Sequence, residues 1–481
     1  MPGAVFLQHE FRSFSIMICV EWKCDKERRV FMLEKIDKTN LLRTFLKYSI
    51  PCIIGMFLTS FITVVDGIII GWKVGEMGLA AVNLTLPVLY MLLGITIMVG
   101  VGGLTLAVQS LGEKDRQRAD RRFTFTVIFN AAVNILAAVI LIVFRDSIIG
   151  FLNAKGGLYP YVRDYLGTMG YFYTFMMMNI TFSMFIRGEG KPQLSLLFGI
   201  LANILNIILD YIFIIRLDYG MRGAALASGL SVIVAFALGF LYFARGKSVY
   251  RYCRISFDMN DFKNIVFNGS SEFIGQISIS ITTFLFNLVI IRSIGVNGVA
   301  AFTIVGYISL IQYMVLTGIA QGIHPLISYS YGAKDRDTIF LLLSIGIKAV
   351  LLTGAAAFIL SFGATEGIIR IFAHGNADLM NIANYGIKIY SITFLINGFN
   401  VIASAYFTSL GDAATSALIS VLRSLILISI FILILPVMLG ETGIWLAAPL
   451  TEAITFVVSY AYIKRSRSRL TFADNSEGRA Y

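Results

Sequence analysis

The chain has 481 residues, 57% of them hydrophobic and only 14% charged, with 8 prolines, 3 histidines and 4 cysteines. That balance excludes a soluble globular domain and a disordered segment, and it matches a chain that crosses a bilayer many times. The 39 Lys and Arg against 28 Asp and Glu leave a net charge of +11; membrane topology accounts for this excess, so no nucleic-acid partner is needed.

Residues 1–40 read as a cytoplasmic N-terminal extension, because their apolar stretch at 14–20 is too short to span. As a signal peptide the stretch is poor, with Glu10 in its leading region and no clean small-residue cleavage site. Met32 offers an alternative start of translation. Apolar runs of spanning length then follow near 45–71, 80–109, 123–144, 164–186, 193–215 and 223–244. Six more lie near 264–291, 297–330, 339–362, 384–409, 414–439 and 443–463. Backbone polar groups in lipid must be satisfied within each segment, so these predict twelve α-helices with antiparallel neighbours.

The second six restate the first. VGEMGLAAVN at 74–83 returns as IGVNGVAAFT at 294–303, SLGEKDR at 110–116 as SYGAKDR at 330–336, and Gly220 and Gly223 as Gly440 and Gly443. An even number of spans per unit gives both units the same orientation. The expected fold class is therefore an all-α integral membrane protein of two six-helix lobes, related by a pseudo-two-fold axis along the membrane normal. The lobes are placed at 41–244 and 264–464, with a cytoplasmic linker at 245–263 and a cytoplasmic tail at 465–481.

Lys and Arg concentrate in the even-numbered connections, at Lys114 to Arg122, Arg187 and Lys191, Arg245 to Lys263, and Lys334 and Arg336. Positive charge is retained inside, so both termini are expected in the cytoplasm of a multi-pass inner (plasma) membrane protein. Cys19, Cys24, Cys52 and Cys253 have no metal-ligand spacing, and neither disulfides nor zinc are expected.

The ordered motifs resemble the multidrug and toxic compound extrusion (MATE) family of the polysaccharide-exporter and flippase superfamily. They are VDGIIIG at 65–71, QSLGEKDR at 109–116, RGEGKP at 187–192, LNIILD at 205–210 and GIAQGIHPLISYSYGAKD at 318–335. The resemblance covers about residues 40–465 and implies a V-shaped pair of lobes that alternates access and exports organic cations in exchange for Na+ or H+. It also implies a monomer.

Ionised carboxylates inside a span cost roughly 2.5–3.5 kcal/mol even on lenient scales, so each needs a partner or a purpose. Asp66 shares a polar stripe with Thr59 and Thr63; Asp210 follows Asn203 and Asn206 on one face of the fifth helix. Carboxylates and amide carbonyls are hard oxygen donors suited to Na+, and a buried carboxyl can instead take a proton, so these residues leave either ion open. The resemblance makes Asp66, Asn206 and Asp210 a cation site, with Ser228 where the family usually has Thr. A structural polar cluster is the competing reading.

Glu272, Gln276, Ser280, Thr283 and Asn287 form a second stripe on the seventh helix, facing either the central cavity or the interior of the second lobe. Glu272 recurs in the branch of the family that has an acid in the tenth helix, where this chain has Asn397. Glu272 is read as a substrate-facing or proton-responsive acid, or as a structural one. Glu452 has no evident partner. Pro51 precedes Asp66 by the spacing of the family's bending proline and either kinks the first helix or begins it. Pro325 sits well inside the eighth span, next to His324, which stands where the motif usually has Gln and is read as a hydrogen-bonded cavity residue or a pH sensor. The stretch YFYTFMMMN at 171–179 suits either a promiscuous cation site or lipid-facing filler.

The sequence carries no Walker-type GxxxxGK[ST] motif, so a secondary multidrug antiporter without a cofactor, and not an enzyme, is expected. The alternative is a flippase for a lipid-linked or polysaccharide precursor, disfavoured by the acids and by few cations in the spans beyond Lys348 and Arg423.

Overall fold

The computed structural model describes residues 40–254, 258–363 and 377–477; the expectations placed on residues 1–39, on 255–257 of the linker and on 478–481 of the tail lie outside these. The first lobe contains α1 (Leu41–Lys73), α2 (Glu76–Gly112), α3 (Arg116–Val143), α4 (Leu158–Gly188), α5 (Pro192–Arg216) and α6 (Gly220–Ala244). A seven-residue surface helix, Arg145–Phe151, joins α3 to α4. The second lobe contains α7 (Met259–Ser293), α8 (Val296–Gly332), α9 (Arg336–Gly363), α10 in two pieces (Ala377–Tyr390 and Ile392–Leu410), α11 (Ala413–Leu439) and α12 (Glu441–Glu477). Among the described residues, eleven helices are long and apolar enough to cross a membrane; the Tyr-rich α4 completes twelve. α1, at 33 residues, is about 50 Å long, more than a hydrocarbon core requires. The helix α12 continues beyond 464, so the described part of the tail is helical.

The repeat extends to the backbone. Gly75 and Gly295 open α2 and α8 at φ 86° and 90°, and Lys114 and Lys334 turn the chain at φ 63° and 55°. After each of these lysines an aspartate caps the next helix: Asp115 accepts from Arg118 N at 2.9 Å and Asp335 from Thr338 N at 3.3 Å, satisfying donors that the first turn leaves orphaned.

The lobes join at the basic end of the bundle. Gly102 lies so close to α7 that a Cβ would stand 1.9 Å from Ile265 O, and one on Gly269 would stand 1.8 Å from Met98 O. The symmetry-related contact brings Gly318 and Gly322 of α8 onto Ile53 and Ser49 of α1. Gly112 and Gly332, equivalent in the repeat, pack onto the ends of each other's helices, against Tyr329 O and Gln109 O. Small residues let these backbones touch, which is how helices associate where lipid removes the hydrophobic drive. Arg122 ties the seam: its Nη2 lies 2.9 Å from Asp261 Oδ1 on α7, and its Nη1 donates to Leu106 O and Ser110 Oγ. Arg122 is thus buried between the lobes, in contact with the first turn of α7. The backbone-to-backbone glycine approaches and the lobe-to-lobe hydrogen bonds of Thr105, Gln109, Arg122 and Gln321 lie in this half, while Phe61, Val64 and Phe284 of the other half are exposed.

The connection after α6 is a strap on the first lobe. Tyr250 is fully buried and stacks on Phe123 at 5.1 Å and edge-on to Phe185 at 5.4 Å. Arg251 N and Cys253 N donate to Asp120 and Thr124 of α3. Beneath it Glu189, wholly buried, accepts from Tyr242 Oη, Ser248 Oγ and Val249 N and pairs with Lys191 at 3.2 Å. Burial pushes the Glu189 carboxyl above its usual range, against the pull of Lys191. Tyr250→Ala is expected to cost about 3 kcal/mol and to expose the strap to protease. Tyr250→Phe is expected to cost nothing, because the hydroxyl is buried without a partner. Denaturation in detergent and limited proteolysis check both.

Candidate functional site

Asp66 of α1 and Asp210 of α5 approach until their carboxyl groups are within hydrogen-bonding reach of each other. Asp210 is 1% exposed and Asn206, one turn earlier, 4%. Asn206 Nδ2 donates across to Ser228 Oγ of α6 at 3.5 Å, and Tyr165 of α4 lies beside both acids. What sets the cluster apart is what it lacks. Asp66 Oδ1, both carboxyl oxygens of Asp210 and Asn206 Oδ1 are buried with no hydrogen-bond donor. Ionised carboxylates only accept, and buried acceptors left without donors are costly. Four such oxygens from α1 and α5 fit a hard cation, or a proton shared by the carboxyl pair. Directly after Asp210, α5 widens into a π-helical turn, Tyr211–Arg216, a distortion frequent at functional sites.

The neighbouring polar network is different in kind. Thr96, Asn130, Asn134 and Thr181 bond one another at 2.8–3.0 Å across α2, α3 and α4, which is the satisfied arrangement expected of glue between helices.

Pro51 lies inside α1, not at its start. A proline leaves the carbonyl four residues earlier without its helical donor; here that oxygen, Lys47 O, accepts from Gln193 Nε2 of α5 at 3.1 Å. Pro325 is likewise inside α8. Beside it, His324 is 7% exposed and its Nε2 lies 3.0 Å from Thr105 Oγ1 of α2, a hydrogen bond across the closed seam.

In the second lobe the expected residues divide. Glu272 is half-buried next to Tyr313 of α8, and Gln276 packs against Gly94 of α2 in the other lobe. Farther along the same helix, Thr283 and Asn287 are exposed. Asn397 is turned away onto Gln312, whose Nε2 donates to it at 3.3 Å. Glu452, which lacked an evident partner in the sequence, has two: Arg423 Nε at 2.7 Å and Asn400 Nδ2 at 2.7 Å. The aromatic and methionine stretch divides: Tyr173, Met177 and Met178 are buried in the lobe core, while Tyr171 and Phe175 are exposed.

The MatE family model matches residues 51–212 and again 273–434, one copy in each lobe. The chain belongs to the MATE family. Among its relatives, the multidrug export protein MepA of Staphylococcus saprophyticus is 24% identical over 449 residues, spanning 90% of this chain and 96% of that protein. MepA of Staphylococcus aureus (strain MSSA476) is 25% identical over 448 residues, spanning 92% and 97%. A MOP superfamily transporter from Pyrococcus furiosus has the same fold, with a TM-score of 0.83 at 23% identity over 89% of this chain and 96% of that one.

Within this MATE chain, sequence reasoning missed Tyr165, Glu189 and the pairing of Arg423 with Glu452. Tyr165 is one of 22 tyrosines and carries no local signal. Glu189 sits among basic residues in RGEGKP and looks solvated. The Arg423–Glu452 pair joins residues 29 apart, although the repeat places Arg423 opposite Asn203, a signal that was there to be used.

Proposed function

We propose that this MATE protein is a secondary multidrug antiporter of the inner membrane that exports organic cations in exchange for Na+ or H+, with both termini cytoplasmic. The observation that carries the reading is the set of four buried, donorless oxygens on Asp66, Asn206 and Asp210. Amides and hydroxyls suffice to glue helices; two carboxylates facing each other need a positive partner. Both MepA relatives are multidrug export proteins, which supports drugs as the exported class.

With the basic end in the cytoplasm, the glycine seam closes the inner side and the structure corresponds to the outward-open state. An ion entering from outside neutralises the Asp66–Asp210 pair, and Pro51, where α1 lacks one backbone hydrogen bond, is the place for α1 to bend in response. Glu272 and Gln276 face the space between lobes and supply the substrate side, Glu272 as the attraction for a cationic group. The ion drives export only through a difference in its affinity for the two states. The linker expected at 245–263 ends sooner, because α7 already begins at Met259 with Asp258 as its cap; its first part is anchored to the first lobe.

The test is reconstitution in liposomes with a fluorescent organic cation such as ethidium, under an imposed Na+ gradient and separately an imposed H+ gradient. Uptake driven by one of the two is expected and names the ion. Uptake driven by neither overturns the antiporter reading and favours an anionic or lipid-linked substrate.

A further inference from the structure

The repeat lets each position of the first lobe's oxygen cluster be read in the second. Adding the offset between Gly75 and Gly295, which is 295 − 75 = 220, carries Asp66, Asn206, Asp210 and Ser228 onto Phe286, Ile426, Ile430 and Ala448. All four are apolar. Phe286 stacks on Phe302 with centroids 4.8 Å apart and shares an apolar cluster with Ala448. Ile426 and Ile430 are exposed, at 42% and 44%, and the buried positions beside them on α11 are Ile428 and Ile432 of that same cluster, so the second lobe has hydrocarbon where the first has ligands.

Its charge lies nearby and is organised differently. Arg423, the equivalent of Asn203, sits in a π-helical turn of α11, Leu422–Ile426, as Asp210 sits at the edge of one in α5. Glu452 on α12 receives the guanidinium on one carboxylate oxygen and Asn400 on the other. The link runs from α11 to α12, just as Asn206–Ser228 links α5 to α6. Tyr313 and Tyr390 flank the pair. The contrast is in satisfaction: both oxygens of Glu452 have donors, whereas both of Asp210 have none. A guanidinium stays charged at any physiological pH and matches a carboxylate geometrically, so Glu452 is neutralised without recruiting anything from solution.

We propose that Arg423 is a tethered cation that stands where the second lobe would otherwise take up an exchangeable one, so that the protein couples a single cation per cycle through the first lobe alone. This rests on the cation reading of Asp66 and Asp210. Removing the guanidinium leaves a buried carboxylate unpaired, and the site then fills from solution with Na+ or a proton.

The test counts cations on the purified full-length protein in lipid nanodiscs, with radioactive sodium at saturation and, in parallel, proton uptake read by an indicator dye in weak buffer. The expected counts are about one for the unaltered protein, none for D66N/D210N, about two for R423M, and about one again for both R423M/E452Q and the charge-keeping R423K. R423Q, which retains a hydrogen-bond donor for Glu452, replaces R423M if the latter is not monodisperse. A count of two in the unaltered protein, a cation persisting in D66N/D210N that E272Q removes, or no gain in R423M over the unaltered protein overturns the proposal. A count of zero in the unaltered protein sinks the first-lobe site instead, while the difference between R423M and R423M/E452Q still decides the role of Arg423.

Discussion

Asp66→Asn and Asp210→Asn are each expected to reduce gradient-driven export of ethidium to background. The loss is on the order of a hundredfold, equivalent to roughly 3 kcal/mol of differential ion affinity between states. Asparagine keeps the shape and one acceptor oxygen but removes the charge and the capacity to take up a proton. It also supplies a donor to the facing acid, so the donorless set at Asp66 Oδ1 and Asp210 becomes an ordinary hydrogen-bonded pair. The two readings of this cluster therefore separate cleanly. If the acids bind the coupling ion, the variants insert, remain monodisperse and melt no earlier than the unaltered protein, yet fail to couple. If the cluster is helix glue, the variants retain coupled transport. Liposome flux, with melting in detergent as the control, reads both.

Gly269→Ala is expected to be the most disruptive single methyl group among the described glycines for the state seen here. Its Cβ would stand 1.8 Å from Met98 O, and that neighbour is backbone, which cannot rotate away. Gly102→Ala meets the mirror problem at 1.9 Å from Ile265 O. Overpacking of this kind costs about 1–3 kcal/mol and occasionally more, enough to shift a two-state equilibrium by about ten- to a hundredfold toward forms with the seam apart. Cys52 provides the readout. It is buried on α1 beside Ile53, which touches Gly318. In a background with the other three cysteines changed to serine, Gly269→Ala should raise the rate of Cys52 labelling by a water-soluble maleimide by at least about tenfold. Unchanged labelling would mean that the seam does not gate access to this side.

Much of this was legible in the sequence for a physical reason: lipid permits few backbone solutions. Spans of sufficient apolar length become helices because nothing else satisfies their amides, and the internal repeat then fixes the number of lobes and their relation. The acids stood out because each is expensive in hydrocarbon, and helical spacing alone put Asn206 and Asp210 on one face. Pro51 was ambiguous because a helix start depends on where the chain enters the membrane, and Asn40, which caps α1 by accepting from Arg43 N, lies too far upstream to read as its beginning.

Side-chain partnership across helices was not legible. Whether Asp66 reaches Asp210, whether Asn397 faces a cavity or bonds Gln312, and whether Glu452 is alone or held by Arg423 depend on the rotation and tilt of helices from distant parts of the chain. A turn's difference in register exchanges one partner for another. Whether a buried polar group is an unsatisfied ligand or a satisfied strut is decided by the donors around it, and those come from other helices. The sequence by itself determined a duplicated twelve-helix membrane protein with acids on its first and fifth spans, because local hydropathy and internal repetition suffice for that. Only the tertiary structure decided that the lobes close at their basic end through backbone contacts at glycines, and that one lobe leaves its carboxylates without donors while the other pairs its own with arginine. Those are properties of packing between helices, which no single segment encodes.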